Sequence, residues 1–227
     1  ASLRLGDSSL IFGEVRSLEA KALYEAMRVG ALANVVAGTI HGASPYGVFD
    51  RVVNDLGVPI TSFKATDCVI VANPVKTADG LKSIKRVIQL AEVRKHWTKD
   101  PEEEGGFVDL LKYNVEKDEL EATEELINGD SEIIKSIAGN VKGWAGNWDA
   151  VYDNILLRGK IKQEIVNFSE KVKMPELLEA RFNSLSNNMF HQFSKEVQED
   201  VGLPEGNRVF NKWQEWLKEE VRGKKII

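Results

Sequence analysis

The sequence predicts an α/β chain, with a mostly parallel sheet and an antiparallel margin over residues 1–123 and an α-helical region over 124–227. Three observations carry this. From Ser8 to about Trp97, short apolar runs alternate with amphipathic segments, the pattern of strands joined by helical crossovers. Around Glu116–Asp118 two further apolar runs face each other across a polar turn, the mark of a hairpin. After residue 124 apolar side chains recur every three or four positions.

"SLIFGEV", ending at Val15, reads as a buried strand, and "SLEAKALYEAMRVG" as a helix capped by Ser17 and stopped by Gly30. "NVVAGTI" is a second strand, rich in β-branched residues. "SPYGVFDRVVNDLG" is a second helix, with Pro45 at its first position and Gly57 past its end. "ITSFKATD" is one more short helix before "CVIVANPV", a third strand. The order β-α-β-α-β places these strands in one largely parallel sheet. "KSIKRVIQLAEVRKHW", ending near His96, and the hairpin "FVDLLKYNVEKDELEAT" make its antiparallel margin over residues 82–123.

The helical region opens with "DSEIIKSIAGNV", for which Asp130 or Ser131 is the cap, and continues with a helix from about Asn147 to Lys171. A third helix carries Leu178, Phe182, Leu185, Met189, Phe193 and Val197, helical periodicity over five turns. The fourth repeats it with Phe210, Trp213, Leu217 and Val221. Such stripes are core packing before they are anything else. A docking face built on Phe182, Met189, Phe190 and Phe193 is the alternative, and solvent exposure of Phe190 and Phe193 decides between the two.

Composition narrows the function. A formal net charge of −5 argues against a non-specific nucleic-acid binder, which needs a basic stripe to displace counterions. The one cysteine, Cys68, has no partner for a disulfide or a cysteine zinc site, which fits a reducing cytoplasm. The longest apolar runs fall short of a membrane span, and no signal peptide opens the sequence. "NFS" at 167–169 matches a glycosylation pattern but carries no meaning in a cytoplasmic helix.

The residues that carry chemistry sit at strand ends. Glu14 closes the first strand, where ligands collect in open α/β sheets. Thr39 and His41 close the second, on the same expected rim. Alone, Glu14 reads sooner as a helix-capping acid beside a surface Arg16, and the shared position of His41 is what turns the reading toward a site. His96 and His191 form no HxxxH or HxH pair and read as structural. No GxSxG elbow is present. Nor is a P-loop, because Gly159-Lys160 is followed by Ile161 and Gly223-Lys224 by Lys225.

Two stretches, "LIFGEVRSLEAKALYEAM" and "GTIHGASPYGVFDRV", resemble the secretion-ATPase superfamily, the hexameric motors of type II and type IV secretion, type IV pili and the archaeal flagellum. That family ends its Walker B strand in Gly-Glu-x-Arg and places a Thr-x-His-(Ala/Gly) box on the next strand. Matching residues here are Gly13, Glu14, Arg16, Glu19, Ala20, Ala26, Met27, Thr39, His41, Gly42 and Arg51. "LRLGDSSL", with Arg4, is similar to the segment before Walker B. The match covers residues 3–55, and the helical tail resembles the C-terminal extension of archaeal type II members.

The resemblance implies the C-terminal part of a RecA-like P-loop ATPase core, beginning downstream of its Walker A loop. It implies ATP with Mg2+ as cofactor, Glu14 as the water-polarising or magnesium-holding carboxylate, and His41 near the γ-phosphate. Gly13 and Thr39 would shape the phosphate rim, and Arg4 and Arg16 would reach phosphates or a neighbouring subunit's site. Its partners would be other subunits of a hexameric ring and a membrane platform protein, at the cytoplasmic face of the cell membrane. Without a P-loop the chain alone should not hydrolyse ATP. The helix that normally ends in Thr-Gly-His reads Val29-Gly30-Ala31 here, which leaves that histidine's role unfilled. A helical interaction module and a small-molecule enzyme pairing Glu14 with His41 are the alternatives.

Overall fold

Residues 8–29, 33–77 and 79–223 are described by a computed structural model of the chain. The chain divides into two compact units, 1–137 and 138–227.

In the first unit, β1 (Ser8–Phe12) and β2 (Ala33–Gly38) pair in parallel, with α1 (Glu19–Val29) between them. The expected stop at Gly30 lies outside the described residues. α2 (Pro45–Asp50) starts as its sequence dictates: Ser44 accepts the Gly47 amide and Pro45, which lacks a donor, takes the first turn. It runs into a π-turn, Arg51–Asp55, and Gly57 follows with φ +64°. α3 (Ile60–Phe63) closes this half.

The single, mostly parallel sheet expected from the sequence is not what forms. β3 (Cys68–Lys76) pairs antiparallel with β4 (Ser83–Val93), which pairs with β5 (Phe107–Asn114), and β5 with β6 (Glu119–Ala122). The described residues therefore hold a two-stranded parallel sheet and a separate four-stranded antiparallel one. The reason is local. Only residues 77–82 separate β3 from β4, and so short a connection closes with less loss of chain entropy than a pairing across the sequence. The antiparallel part is the larger sheet, not a margin.

β1 also departs from expectation in burial. Ile11 is 66% exposed and Val35 on β2 is 50% exposed, because a two-stranded sheet covers only one of its faces. The covered side meets a core of Val15, Leu23, Tyr24, Val48, Phe49, Val52, Phe63, Val69, Val71, Val93 and Trp97. Aromatic rings organise it: Phe49 packs edge-on against Phe63 at 5.2 Å and against Trp97 at 5.6 Å. Trp97 comes from the loop after β4, so His96 lies in that loop and does not end a strand; its Nε2 is 2.9 Å from the Glu104 carbonyl.

α4 (Glu124–Ile127) and most of α5 (Glu132–Gly139) belong to this unit, so the division falls beyond the expected 123/124 boundary. A buried carboxylate explains it. Glu92 on β4 is fully buried, receives the Ser131 hydroxyl and the Glu132 amide (2.9 Å), and stands 3.3 Å from Arg94 Nε. Arg94 in turn reaches the Asp130 carbonyl and, at 3.0 Å, the Glu132 carboxylate. Ser131, not Asp130, caps α5, accepting the Ile134 amide at 3.2 Å.

The second unit is helical: α6 (Trp148–Val172), a 3₁₀ turn at Pro175–Leu178, α7 (Ala180–Val201) and α8 (Gly206–Gly223). α6 starts at the expected Asn147, whose side chain accepts the Ala150 amide. α7 starts two residues after Leu178, because Glu179 is extended (φ −70°, ψ 152°). Its buried face is Phe182, Ser186, Phe190 and Val197, while Leu185 is exposed and Met189 and Phe193 only line the core. On α8, Phe210, Trp213 and Leu217 are buried as their spacing predicts. The indole of Trp213 donates to Ser186 Oγ at 3.2 Å, which satisfies a polar pair inside an apolar core.

Candidate functional site

Parallel pairing decides where the candidate residues lie. The register that sets Phe12 against Gly38 brings the C-terminal ends of β1 and β2 side by side. The ladder continues past the strands, with Thr39 N–H donating to the Phe12 carbonyl (3.3 Å) and Val15 N–H to the Thr39 carbonyl (2.8 Å). Val15 is buried in the core, so its neighbours Glu14 and Arg16 turn away from it, as side chains alternate along an extended chain.

On this rim the Glu14 carboxylate has an occupied side on each oxygen. Arg16 Nη2 donates to Oε2, and His41 Nε2 stands 3.2 Å from Oε1. Oε1 itself is shielded from solvent, and His41 is its near polar neighbour without a well-aligned hydrogen bond. Thr39 donates its hydroxyl to the Gly13 carbonyl, tying the two strand ends together. Glu14 is 30% exposed, against 70% for Arg16 and 82% for His41. The site is an open rim, not a closed pocket, which does not favour a small-molecule acid-base enzyme.

Electrostatics give Glu14 a definite state. The hydrogen bond from the Arg16 guanidinium holds its carboxyl below the usual carboxylate range; partial desolvation opposes this, and the charges of Arg16 and His41 add to it. Arg16 is correspondingly raised by the same bond. An ionised carboxylate is suited to accepting hydrogen bonds from water and to attracting a cation. It is poorly suited to acting as a general acid near neutral pH.

The residues that hold the rim include one whose role the sequence reading missed. Glu19 accepts the amides of Arg16 (2.7 Å) and Ser17 (3.0 Å) and the Ser17 hydroxyl (2.6 Å). These bonds, the Ser17 hydroxyl first, lower its pKa to about 2. Ser17, expected as the cap, is thus the donor in a turn that Glu19 locks. The signal was present as an acid two residues after a serine at a helix start. Gly42, next to His41, has a steric reason of its own: a Cβ there would stand 2.8 Å from Val48 Cγ2. At Gly13 a Cβ would meet nothing within 4 Å, so the space beside that backbone is open.

Arg4 lies outside the described residues. Arg51 sits in the π-turn with its Nε shielded and without a hydrogen-bond partner. Among the described residues no group of three or more His, Cys, Asp or Glu could hold a metal ion. Magnesium at nucleotide sites takes one or two protein carboxylates and fills its shell with water and phosphate oxygens. Glu14 would offer such a single contact only with Arg16 or His41 displaced from its oxygens. The helical unit bears a cleft of about 350 Å³ lined in part by Trp144, Asn147, Asn154, Gln198 and Glu205, on a different unit from the rim.

On the helical unit, Phe182 and Phe190 are core, which removes two of the four residues of the docking face considered from sequence. No described helix is long and apolar enough to cross a membrane. Comparison of the chain with models of protein families and with curated proteins finds no match in either.

Proposed function

We propose that the chain is the Walker B and His-box part of a secretion or pilus-type motor ATPase, with a RecA-like core, and that Glu14 and His41 form half of its nucleotide site. The observation carrying this reading is the meeting of two separate sequence stretches: Glu14 and His41, 27 positions apart in the chain, stand 3.2 Å apart at adjacent parallel strand ends. In this reading Glu14, ionised, accepts a hydrogen bond from the attacking water and fixes its approach. Positioning of this kind carries much of phosphoryl-transfer catalysis. His41 steadies the far side of the carboxylate and faces the terminal phosphate. Thr39 fixes the strand end through Gly13, and Arg16 is available to a phosphate or a neighbouring subunit. Bound magnesium would supply neutralisation of the phosphate charge, with Glu14 as its protein contact.

The wider assignment follows from the same reading: a ring of like subunits, coupling ATP hydrolysis to protein secretion or filament assembly, working on a membrane platform protein from the cytoplasmic face. A P-loop is lacking among these 227 residues, so the phosphates lose their backbone cradle and lysine. Calorimetry with ATP and magnesium should detect no tight binding by the chain alone, and no hydrolysis should accompany it. Supplying a P-loop-bearing half in trans should produce hydrolysis that Glu14→Gln lowers by about a hundredfold or more, the order of a lost transition-state contact. Hydrolysis indifferent to Glu14→Gln and His41→Ala overturns the reading.

A further inference from the structure

β4 pairs with β5 only from Gln89 onward, so upstream of it β3 and β4 continue as a two-stranded ribbon beyond the four-stranded sheet. Arg86 ties the ribbon's base to Asp118 of the β5–β6 turn by two 2.7 Å bonds. Past that tie lies the turn from Thr77 to Lys82. Its described residues bond to one another: Thr77 N–H donates to the Lys82 carbonyl at 2.9 Å, and Asp79 accepts the Thr77 hydroxyl (2.5 Å) and the Leu81 amide (3.0 Å). The one acid of the tip is thereby turned into the turn.

What the tip presents outward is basic and apolar. Lys76, Lys82 and Lys85 form no ion pair among the described residues, and all three are exposed. The register sets Lys76 opposite Ser83 and Lys85 opposite Pro74, so Lys76 and Lys85 share one face of the ribbon. Leu81, at the turn, is 83% exposed, more than any other large hydrophobic among the described residues. On a chain of net charge −5, three unpaired lysines around one projecting leucine are a local inversion of the surface.

We infer that this ribbon tip is a contact for an anionic lipid surface, with Leu81 entering the headgroup–acyl boundary and Lys76, Lys82 and Lys85 neutralising the headgroups. The match is one of charge and shape. A strand-ribbon turn with an exposed leucine, and the partly exposed Ile84 and Val87 behind it, suits an apolar continuum, and lysines add attraction near an anionic leaflet. Single-stranded nucleic acid would call for aromatic side chains on which bases stack, and the ribbon from Ala72 to Val87 has none. An acidic protein would need a concave apolar pocket for Leu81 in addition to its charges. The contact is independent of the ATPase reading.

The test is sedimentation of the full chain with vesicles of phosphatidylcholine containing about one-third phosphatidylserine, against phosphatidylcholine alone. Binding to the anionic vesicles only, released at high salt as screening requires, is expected. The triple variant Lys76→Glu, Lys82→Glu, Lys85→Glu should weaken it by about a hundredfold or more, at roughly fivefold for each lysine lost. Leu81→Asp should weaken it by about tenfold with the lysines intact. Unchanged circular dichroism would show that the exposed changes leave the fold alone; if the triple variant unfolds, Leu81→Asp carries the test. Equal binding to neutral vesicles, wild-type binding by Leu81→Asp, or retention of an oligonucleotide where anionic vesicles do not sediment the chain overturns the proposal.

Discussion

The two compact units are held by different physics. The helical unit is an apolar construction: Phe182, Phe190, Val209, Phe210, Trp213 and Leu217 pack from successive helices, and its buried serines are satisfied internally, Ser186 by the Trp213 indole and Ser169 by the Met174 carbonyl. The sheet unit has an aromatic core too, but its loops and element ends are fixed by carboxylates that accept backbone amides. Glu19 holds the turn after β1, Glu104 the loop after Trp97, and Glu92 the start of α5. The difference teaches where chemistry can be placed. Strand ends held by directed polar bonds keep Glu14 and His41 in register, whereas the helix faces are consumed by packing.

The sharpest way to break this comparison is to remove one anchor from each unit. Glu92→Ala should cost about 3–5 kcal/mol, because it removes the buried partner of Arg94, leaving only the exposed Glu132 carboxylate, and strips the Ser131 hydroxyl and the Glu132 amide of their acceptor. Trp213→Ala should cost about the same through the cavity it opens. Denaturant unfolding of the two variants checks both, and a near-neutral Glu92→Ala would mean that the buried ion pair does not anchor α5. A smaller effect tests local helix initiation in the apolar unit. Asn147→Ala should lose about 1 kcal/mol, read as a fall in denaturation midpoint, by removing the bond to the Ala150 amide.

The last test separates the units by pH. Glu104, through the amides of Lys99, Asp100 and Thr98, is lowered to about 2, as Glu19 is through Ser17 and neighbouring amides. A carboxyl whose folded pKa is depressed stabilises above its unfolded value and loses that contribution as pH falls toward the folded one. Stability supplied by Glu19 and Glu104 should therefore be complete above the ordinary value of 4.5 and fade between about 4.5 and 2. Acid titration followed by tryptophan fluorescence should show a wild-type transition in this window that Glu104→Gln flattens. Because these groups are exposed, the expected change is small, and an unaltered acid profile would remove the carboxylates from the account.

Much of this architecture was legible in the residues. Ser44-Pro45 announced α2, Asn147 the cap of α6, and the spacing of Phe210, Trp213 and Leu217 the buried face of α8, because each depends on bonds or periodicity within a few residues. The same holds for the site: Glu14 and His41 stood out as the polar ends of two apolar runs. The exposed and buried sides of α7 were less legible. Ser186 occupies a core position that a purely apolar template skips, and Glu179 breaks the helix where the periodicity ran on.

What the sequence determined by itself was the set of elements and the chemical character of their ends, since capping, turn formation and amphipathic spacing are local. Tertiary structure decided the partners. Among the described residues it paired β1 with β2 alone, sent β3 into an antiparallel sheet with β4, left Ile11 and Val35 in solvent, and used Glu92 to bind α5 to the sheet unit. It also set Arg16 and His41 on opposite oxygens of Glu14. Strand pairing and the satisfaction of buried charge depend on residues distant in the chain, and no local pattern encodes which of them will meet.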